Sequence, residues 1–195
     1  MKAAPLIGIS RHRLSTDGEG VTTLVAFHGC PLRCKYCLNP QSLHSEGIWK
    51  NYDCEQLYEE VRQDELYFLA TNGGITFGGG EPCLQSDFID EFRQLCGQEW
   101  QLSVETSLNV TQENIEKLVP VVDSYIIDIK DINNTIYQKY TGKNNEKVLH
   151  NLQYLIEHGK NEQIIVRTPV IPAYNTENDV DNSIRLLKEM GIIQF

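Results

Sequence analysis

The feature that most restricts the fold of this chain is a regular alternation of two kinds of segment. Short runs rich in β-branched and apolar residues, typical of strands, alternate with segments whose apolar residues recur at helical spacing. This order indicates βαβ units and therefore a parallel sheet covered by helices. The predicted strands cover 21–28, 74–77, 101–105, 125–129 and 163–170, and the predicted helices cover 54–71, 86–96, 111–118, 147–158 and 178–190.

The whole chain, residues 1–195, is expected to form a single domain. Its length is sufficient for one hydrophobic core, and neither a repeat nor a clear linker interrupts it. Residues 192–195 begin another apolar run where the sequence stops. We therefore expect a sheet shortened at its C-terminal end, in either a compact variant or a truncated chain. The exposed edge strand of a sheet is usually protected by another part of the protein or by a partner. We expect formation of a homodimer as one way to protect this edge.

The composition argues against two kinds of partner. The formal net charge is −10, whereas nucleic-acid binding normally requires a basic face. No apolar run approaches the ~20 residues of a membrane helix. Nor does an apolar core with a cleavage site follow the first residues, as it would in a signal peptide. We expect a cytoplasmic protein that binds neither nucleic acid nor membrane.

Three clustered cysteines follow the first strong strand with the spacing C-x3-C-x2-C. In a reducing compartment, such a cluster favours metal binding over disulfides. Three thiolates can hold three irons of a cubane and leave the fourth iron open, whereas electron-transfer clusters usually have four cysteines. A zinc site needs a fourth ligand, so His28 or His44 would have to complete that alternative. The cluster consists of Cys30, Cys34 and Cys37.

The other three cysteines are scattered, and no second cluster is expected from them. Free cysteine is among the most buried residue types, so Cys54, Cys83 and Cys96 are predicted to lie in the core. A second motif, Gly78-Gly79-Gly80-Glu81-Pro82, follows the predicted strand 74–77. Glycines there allow a ligand to approach the backbone, and no Lys-Ser/Thr pair follows that would indicate a phosphate loop.

The cysteine spacing and the Gly-Gly-Glu-Pro turn together resemble the radical S-adenosylmethionine superfamily. Within it, the chain is most similar to glycyl-radical-enzyme activating enzymes of the pyruvate formate-lyase activase type. The residue after Cys37 is Leu38, where these activases commonly have histidine. The narrower resemblance is carried by Asp17-Gly18-Glu19-Gly20, residues 25–30, Cys37-Leu38-Asn39-Pro40, Glu105-Thr106, Asp128-Ile129-Lys130, Tyr140-Thr141-Gly142 and residues 167–172.

The resemblance implies a fold and a reaction. The fold is α/β, a partial (β/α)6 TIM-like barrel of parallel strands with outer helices. The implied cofactors are S-adenosylmethionine and a 4Fe–4S cluster on Cys30, Cys34 and Cys37, with a monovalent cation as a further candidate. One electron would split S-adenosylmethionine into methionine and a 5′-deoxyadenosyl radical, which would generate a glycyl radical on a partner enzyme. A flavodoxin or ferredoxin-type protein would supply the electron.

The resemblance also implies roles for individual residues. Asp17 matches a substrate-side aspartate. Other interpretations remain open: Asp128 could simply pair with Lys130, Arg167 could be a surface partner for the acidic excess, and Glu105 could face solvent. The implied cofactor-binding residues are Asn39, Gly79, Gly80, Glu81, Glu105, Asp128, Lys130 and Arg167.

Two other functions compete with glycyl-radical activation. The same radical chemistry could modify a small molecule, a nucleotide precursor or a peptide. A non-catalytic iron–sulfur protein, acting as a carrier or sensor, would use the same cysteines without cleaving S-adenosylmethionine.

Overall fold

The structure, a computed structural model, describes residues 3–14 and 16–195. Their strands form one seven-stranded sheet in the order β3-β1-β2-β4-β5-β6-β7. The strands are β1 (Ala4–Leu14), β2 (Val21–Phe27), β3 (Lys50–Tyr52), β4 (Gly74–Gly79), β5 (Gln101–Thr106), β6 (Ser124–Asp128) and β7 (Ile164–Arg167).

The predicted partial barrel of parallel strands is confirmed. Strands β2, β4, β5, β6 and β7 run parallel, each paired with its neighbour, so their carboxyl ends lie along one edge. Two strands that the sequence did not predict extend the sheet, since β1 pairs antiparallel with both β2 and β3. The sheet is open, and Gln194 makes an isolated parallel bridge with Ile165 of the last strand.

The helices cover the outer face of this sheet. The single helix expected over 54–71 is two helices, separated by a 3-10 turn at Arg62–Asp64. The break accompanies a buried Asp64, whose carboxylate accepts hydrogen bonds from Arg11 and Thr23. The described helices are α1 (Cys54–Val61), α2 (Glu65–Thr71), α3 (Ser86–Cys96), α4 (Gln112–Leu118), α5 (Asn134–Thr141), α6 (Glu146–Glu157) and α7 (Glu177–Glu189).

Helix α5 was not expected from the sequence, and local capping explains why it forms. The side chain of Asn133 accepts a hydrogen bond from the backbone N–H of Thr135 at its start. Gly142 ends the helix in the left-handed conformation, with φ at 77°. Tyr137 and Tyr140 of this helix are buried, so its apolar side packs against the rest of the domain.

The core lies between the sheet and the helices and is rich in aromatic rings. Phe77 of β4 contacts Phe27 of β2 at 5.5 Å between ring centroids, and Phe92 of α3 at the same distance. Cys54, Cys83 and Cys96 are all buried in this layer, as predicted. None of the described helices, within residues 3–14 and 16–195, is both long and apolar enough to span a bilayer.

Candidate active site

The three clustered cysteines lie in a loop directly after β2, at the edge where the parallel strands end. Backbone hydrogen bonds fix both sides of this loop. The N–H of Gly29 donates to the carbonyl of Ser42 at 2.9 Å, and its carbonyl accepts from the N–H of Glu81 at 2.8 Å. Further along, Arg33 and Lys35 donate their N–H groups to the carbonyls of Thr141 and Tyr140, at the end of α5.

A cavity of about 380 Å³ opens at this edge of the sheet. Its volume is within the range of small-molecule sites. The structure brings nine of the predicted site residues together in its wall, and the three cysteines are among them. They are Cys30, Cys34, Cys37, Asn39, Gly79, Gly80, Glu105, Asp128 and Lys130.

The glycine turn after β4 forms one side of the cavity and leaves no room for larger residues. A Cβ atom on Gly80 would lie 2.2 Å from the carbonyl oxygen of Gly29. Gly79 has φ at +90°, and a Cβ there would lie 2.8 Å from Ala26. The amide of Asn39 donates to the carbonyl of Gly79 at 3.1 Å. The turn is therefore held against both the cysteine loop and the strand below it.

Glu81 belongs to the same turn, but its side chain points into the protein and not into the cavity wall. The residue is 1% exposed. Its carboxylate accepts hydrogen bonds from the N–H and hydroxyl of Ser107, at 2.9 and 2.6 Å, and from the hydroxyl of Thr106 at 2.5 Å. The N–H of Cys83 donates a fourth at 3.2 Å. These bonds clamp the glycine turn to the end of β5.

Charged residues of three neighbouring strand ends form a connected network. Lys130 Nζ lies 2.8 Å from Asp128 Oδ2, and Arg167 Nε lies 2.7 Å from Asp128 Oδ1. Arg167 also pairs with Glu105. Burial alone would raise the pKa of Asp128, but Lys130 and Arg167 together lower it. Arg167 itself is not in the cavity wall; it holds two carboxylates that are.

Asp17 lies away from the cavity wall. It is 3% exposed and forms an ion pair with Arg13. Its carbonyl accepts a hydrogen bond from the hydroxyl of Thr76, and neighbouring Gly18 approaches Ser103. Asp17 therefore packs against the middle of β4 and β5, below the strand ends. Its substrate-side role stays a prediction.

The thiols are in an environment where metal binding changes their protonation. Burial raises the pKa of Cys30 to about 12 and also raises the pKa of Cys34. A metal-bound thiol is deprotonated outright, so iron would stabilise the charged form that burial disfavours. Among the residues that the structure describes, no three His, Cys, Asp or Glu side chains converge on a single-ion site. A cubane does not require this, since each cysteine binds a different iron.

The cavity wall holds polar groups suited to a cofactor with a charged amino-acid tail. Ser42 is 1% exposed, and its hydroxyl has no partner in the protein. An unpaired buried hydroxyl is costly, so a polar ligand group would satisfy it. The glycine turn lets such a group approach the backbone. The donor set of three thiols, one free hydroxyl and the close glycine turn therefore fits a 4Fe–4S cluster with S-adenosylmethionine.

The sequence interpretation did not identify several residues of the wall. Ser42, Ser107 and Tyr140 line the cavity. Tyr140 belongs to the Tyr140-Thr141-Gly142 motif and Ser107 follows Glu105-Thr106, but the sequence assigned neither of them, nor Ser42, a role in the site. Tyr140 forms an aromatic group with Tyr36 and Tyr174, with ring centroids 5.1 to 6.2 Å apart. The zinc alternative gains no support, because neither His28 nor His44 is in the described cavity wall. His28 Nε2 instead lies 2.9 Å from the carbonyl of His44.

The fold, the cysteine loop and the glycine turn define a class that comparison with known proteins confirms. A family model described as the Radical SAM superfamily matches residues 24–187. The chain belongs to this superfamily. Membership implies a 4Fe–4S cluster and S-adenosylmethionine as cofactors.

Within the superfamily, the chain is a radical-generating enzyme similar to glycyl-radical-enzyme activating enzymes. It is 30% identical to the (2S)-3-sulfopropanediol dehydratase activating enzyme of Klebsiella oxytoca, with 90% of this chain and 74% of that protein covered. It is 28% identical to the pyruvate formate-lyase 2-activating enzyme of Escherichia coli (strain K12), with 98% and 75% covered. The structure of Streptococcus suis SuiB bound to S-adenosylmethionine matches with a TM-score of 0.64 and 15% identity, over 87% of this chain and 40% of that one. That match supports the fold alone.

Proposed function

We propose that this protein cleaves S-adenosylmethionine at a 4Fe–4S cluster on Cys30, Cys34 and Cys37 and generates a glycyl radical on a partner enzyme. The observation that carries the proposal is the cavity in which all three cysteines meet the glycine turn. The similarity to two activating enzymes supports the choice of substrate. Because the thiols must stay reduced to bind iron, we place the protein in the cytoplasm.

The residues of the cavity have separate tasks in this proposal. When bound, the cluster supplies one electron to the sulfonium of S-adenosylmethionine and so breaks a carbon–sulfur bond. The backbone of Gly79 and Gly80 and the hydroxyl of Ser42 bind the methionine part. Asp128 and Glu105 face the same cavity, and their carboxylate oxygens are the proposed ligands of a monovalent cation. Lys130 orients Asp128 through their 2.8 Å contact.

The aromatic group beside the cysteine loop limits access of water to the cavity. Tyr36 and Tyr140 are both part of the wall, and Tyr174 contacts the two rings. A radical that abstracts hydrogen must be shielded from solvent until the target glycine arrives. A glycine in an extended loop of the partner can enter such a cavity because it has no side chain.

The test begins with anaerobic reconstitution of the purified protein. About four irons per chain are expected, together with 5′-deoxyadenosine release under dithionite. A glycyl radical enzyme supplied as the partner should then show the glycyl radical doublet by electron paramagnetic resonance. Cys34→Ala should abolish all three signals. Cys96→Ala, at a buried cysteine outside the loop, is the matched control and should retain them.

Other outcomes would reject parts of the proposal. Iron binding without 5′-deoxyadenosine would support a non-catalytic iron–sulfur protein. Release of 5′-deoxyadenosine without a glycyl radical would indicate another substrate. One zinc per chain and no iron would remove the radical chemistry altogether.

A further inference from the structure

Acidic residues are absent from the two chain segments that surround the cysteine loop. The chain has 27 Asp and Glu residues against 17 Lys and Arg residues, yet no acid occurs in 20–45 or in 132–145. Four exposed basic residues lie in these same segments. We refer to them as the basic rim: Arg33, Lys35, Lys139 and Lys143.

The basic rim is one continuous surface, because the cysteine loop is docked on the end of α5. The N–H of Arg33 donates to the carbonyl of Thr141 at 2.8 Å, and the N–H of Lys35 donates to that of Tyr140 at 3.2 Å. Lys139 and Lys143 flank these two anchor residues in sequence. All four cations therefore surround the junction of the loop with the helix.

The positive charge of the rim is not neutralised within the part of the chain that the structure describes. None of its four cations has an ion pair there with a carboxylate. Arg33 instead donates to the carbonyls of Cys30 and Leu32, at 3.0 and 2.9 Å, so its guanidinium is fixed over the loop. Of the two acids that border the second segment, Asp131 is buried, and Glu146 is exposed at the start of α6 but forms no ion pair with the rim in the described part of the chain.

The two rim residues that belong to the cysteine loop, Arg33 and Lys35, lie outside the cavity wall. Leu32, Cys34 and Tyr36 line the cavity, whereas the intervening Arg33 and Lys35 are exposed and do not. Within the loop, the thiols therefore line the cavity while the neighbouring cations Arg33 and Lys35 are exposed outside its wall. A protein on the rim would face the cluster without blocking the cavity that the substrate must enter.

We propose that the basic rim is the docking surface for an acidic one-electron carrier protein that reduces the cluster. The inference rests on the proposed function. A flavodoxin with excess negative charge has the required chemistry. Its anionic flavin hydroquinone gives one electron to the oxidised cluster and becomes the neutral semiquinone, with no proton transferred. Complementary charge accelerates such encounters by about 10- to 1000-fold at low salt.

The experiment measures cluster reduction by flavodoxin hydroquinone in an anaerobic stopped-flow instrument, at several ionic strengths. The test variant is Lys139→Glu with Lys143→Glu, which changes no residue of the cysteine loop. The charge-matched control is Lys160→Glu with Lys188→Glu; Lys160 lies three residues after the C-terminal end of α6, and Lys188 lies in the last turn of α7. At low salt, the second-order rate constant should fall at least about 10-fold in the test variant only, and the difference should shrink as salt screens it.

Independent readouts separate this inference from the proposed function. Dithionite-driven release of 5′-deoxyadenosine and the midpoint potential of the cluster should be unchanged in both variants. Equal rate constants for the test and control variants would overturn the inference. A test variant that is reduced normally but no longer forms the glycyl radical would also overturn it, and would assign the rim to the partner enzyme. Failure of the unmodified protein to cleave S-adenosylmethionine would instead refute the proposed function.

Discussion

Replacing Glu81 tests whether this residue clamps the glycine turn or binds the cofactor directly. Its carboxylate accepts four protein hydrogen bonds, three of them from Thr106 and Ser107. Hydrogen bonds to a charged group contribute about 1.5–3 kcal/mol each, and a buried donor left unpaired costs about 1–3 kcal/mol. Relief of carboxylate burial offsets part of that loss. For Glu81→Ala we therefore expect a loss of about 3 kcal/mol in the free energy of unfolding.

The measurement is urea unfolding of the cluster-free protein under anaerobic conditions, followed by circular dichroism. Cluster-free protein is essential, because a residue that only binds cofactor would leave its stability unchanged. Glu99→Ala, at an exposed acid between α3 and β5, should shift the free energy by less than about 0.5 kcal/mol. A Glu81→Ala protein as stable as this control, but with weakened binding of S-adenosylmethionine, would refute the clamp.

Three further predictions concern the cavity. Ser42→Ala should not lower the stability of the cofactor-free protein, because its buried hydroxyl has no partner there. It should weaken binding of S-adenosylmethionine about 3- to 10-fold by calorimetry, since one net hydrogen bond contributes about 0.5–1.5 kcal/mol; unchanged affinity would show that the hydroxyl does not contact the cofactor. Gly80→Ala should lower the free energy of unfolding by more than about 2 kcal/mol, because the new Cβ atom would lie 2.2 Å from the carbonyl oxygen of Gly29. Gly8→Ala is the control, since a Cβ atom at that position would have no other atom within 4 Å. The pKa of Asp128 is lowered in the folded protein. Its contribution to the free energy of unfolding is therefore present above its unfolded pKa of about 3.9 and is lost as pH falls through the folded pKa. Asp128→Asn should reduce the loss of unfolding free energy at acid pH, and an unchanged dependence on pH would contradict this.

The sequence was sufficient for the parallel part of the sheet but not for its antiparallel extension. The central residues of β4 and β6 are mostly apolar because both faces of these strands are buried. Strand β1 mixes apolar and charged residues, and its register shifts between Ser10 and Arg13, where His12 has φ at 55°. No simple period marks such a strand. The strand is defined by its tertiary pairing with β2 and β3.

The sequence was sufficient to predict many of the residues of the candidate site, but not the contacts that position them. The cysteine spacing and the glycine turn identified the cavity, because chemistry requires those residue types at close positions. The direction of the Glu81 side chain depends on Thr106 and Ser107, which lie some 25 residues further along the chain. Ser42 lies in the wall because its carbonyl bonds to Gly29, a contact that no local pattern reveals.

The anchoring of the cysteine loop to Tyr140 and Thr141 has a consequence for maturation of the protein. Those anchors are synthesised about a hundred residues after the cysteines. During translation, the thiols therefore leave the ribosome on a segment whose final support does not yet exist. Iron delivered at that time would meet three thiols on the eight-residue segment 30–37 before its contacts with residues 140–141 have formed. The cluster can therefore bind to the cysteine loop in its final conformation only after residues 140–141 have folded against that loop.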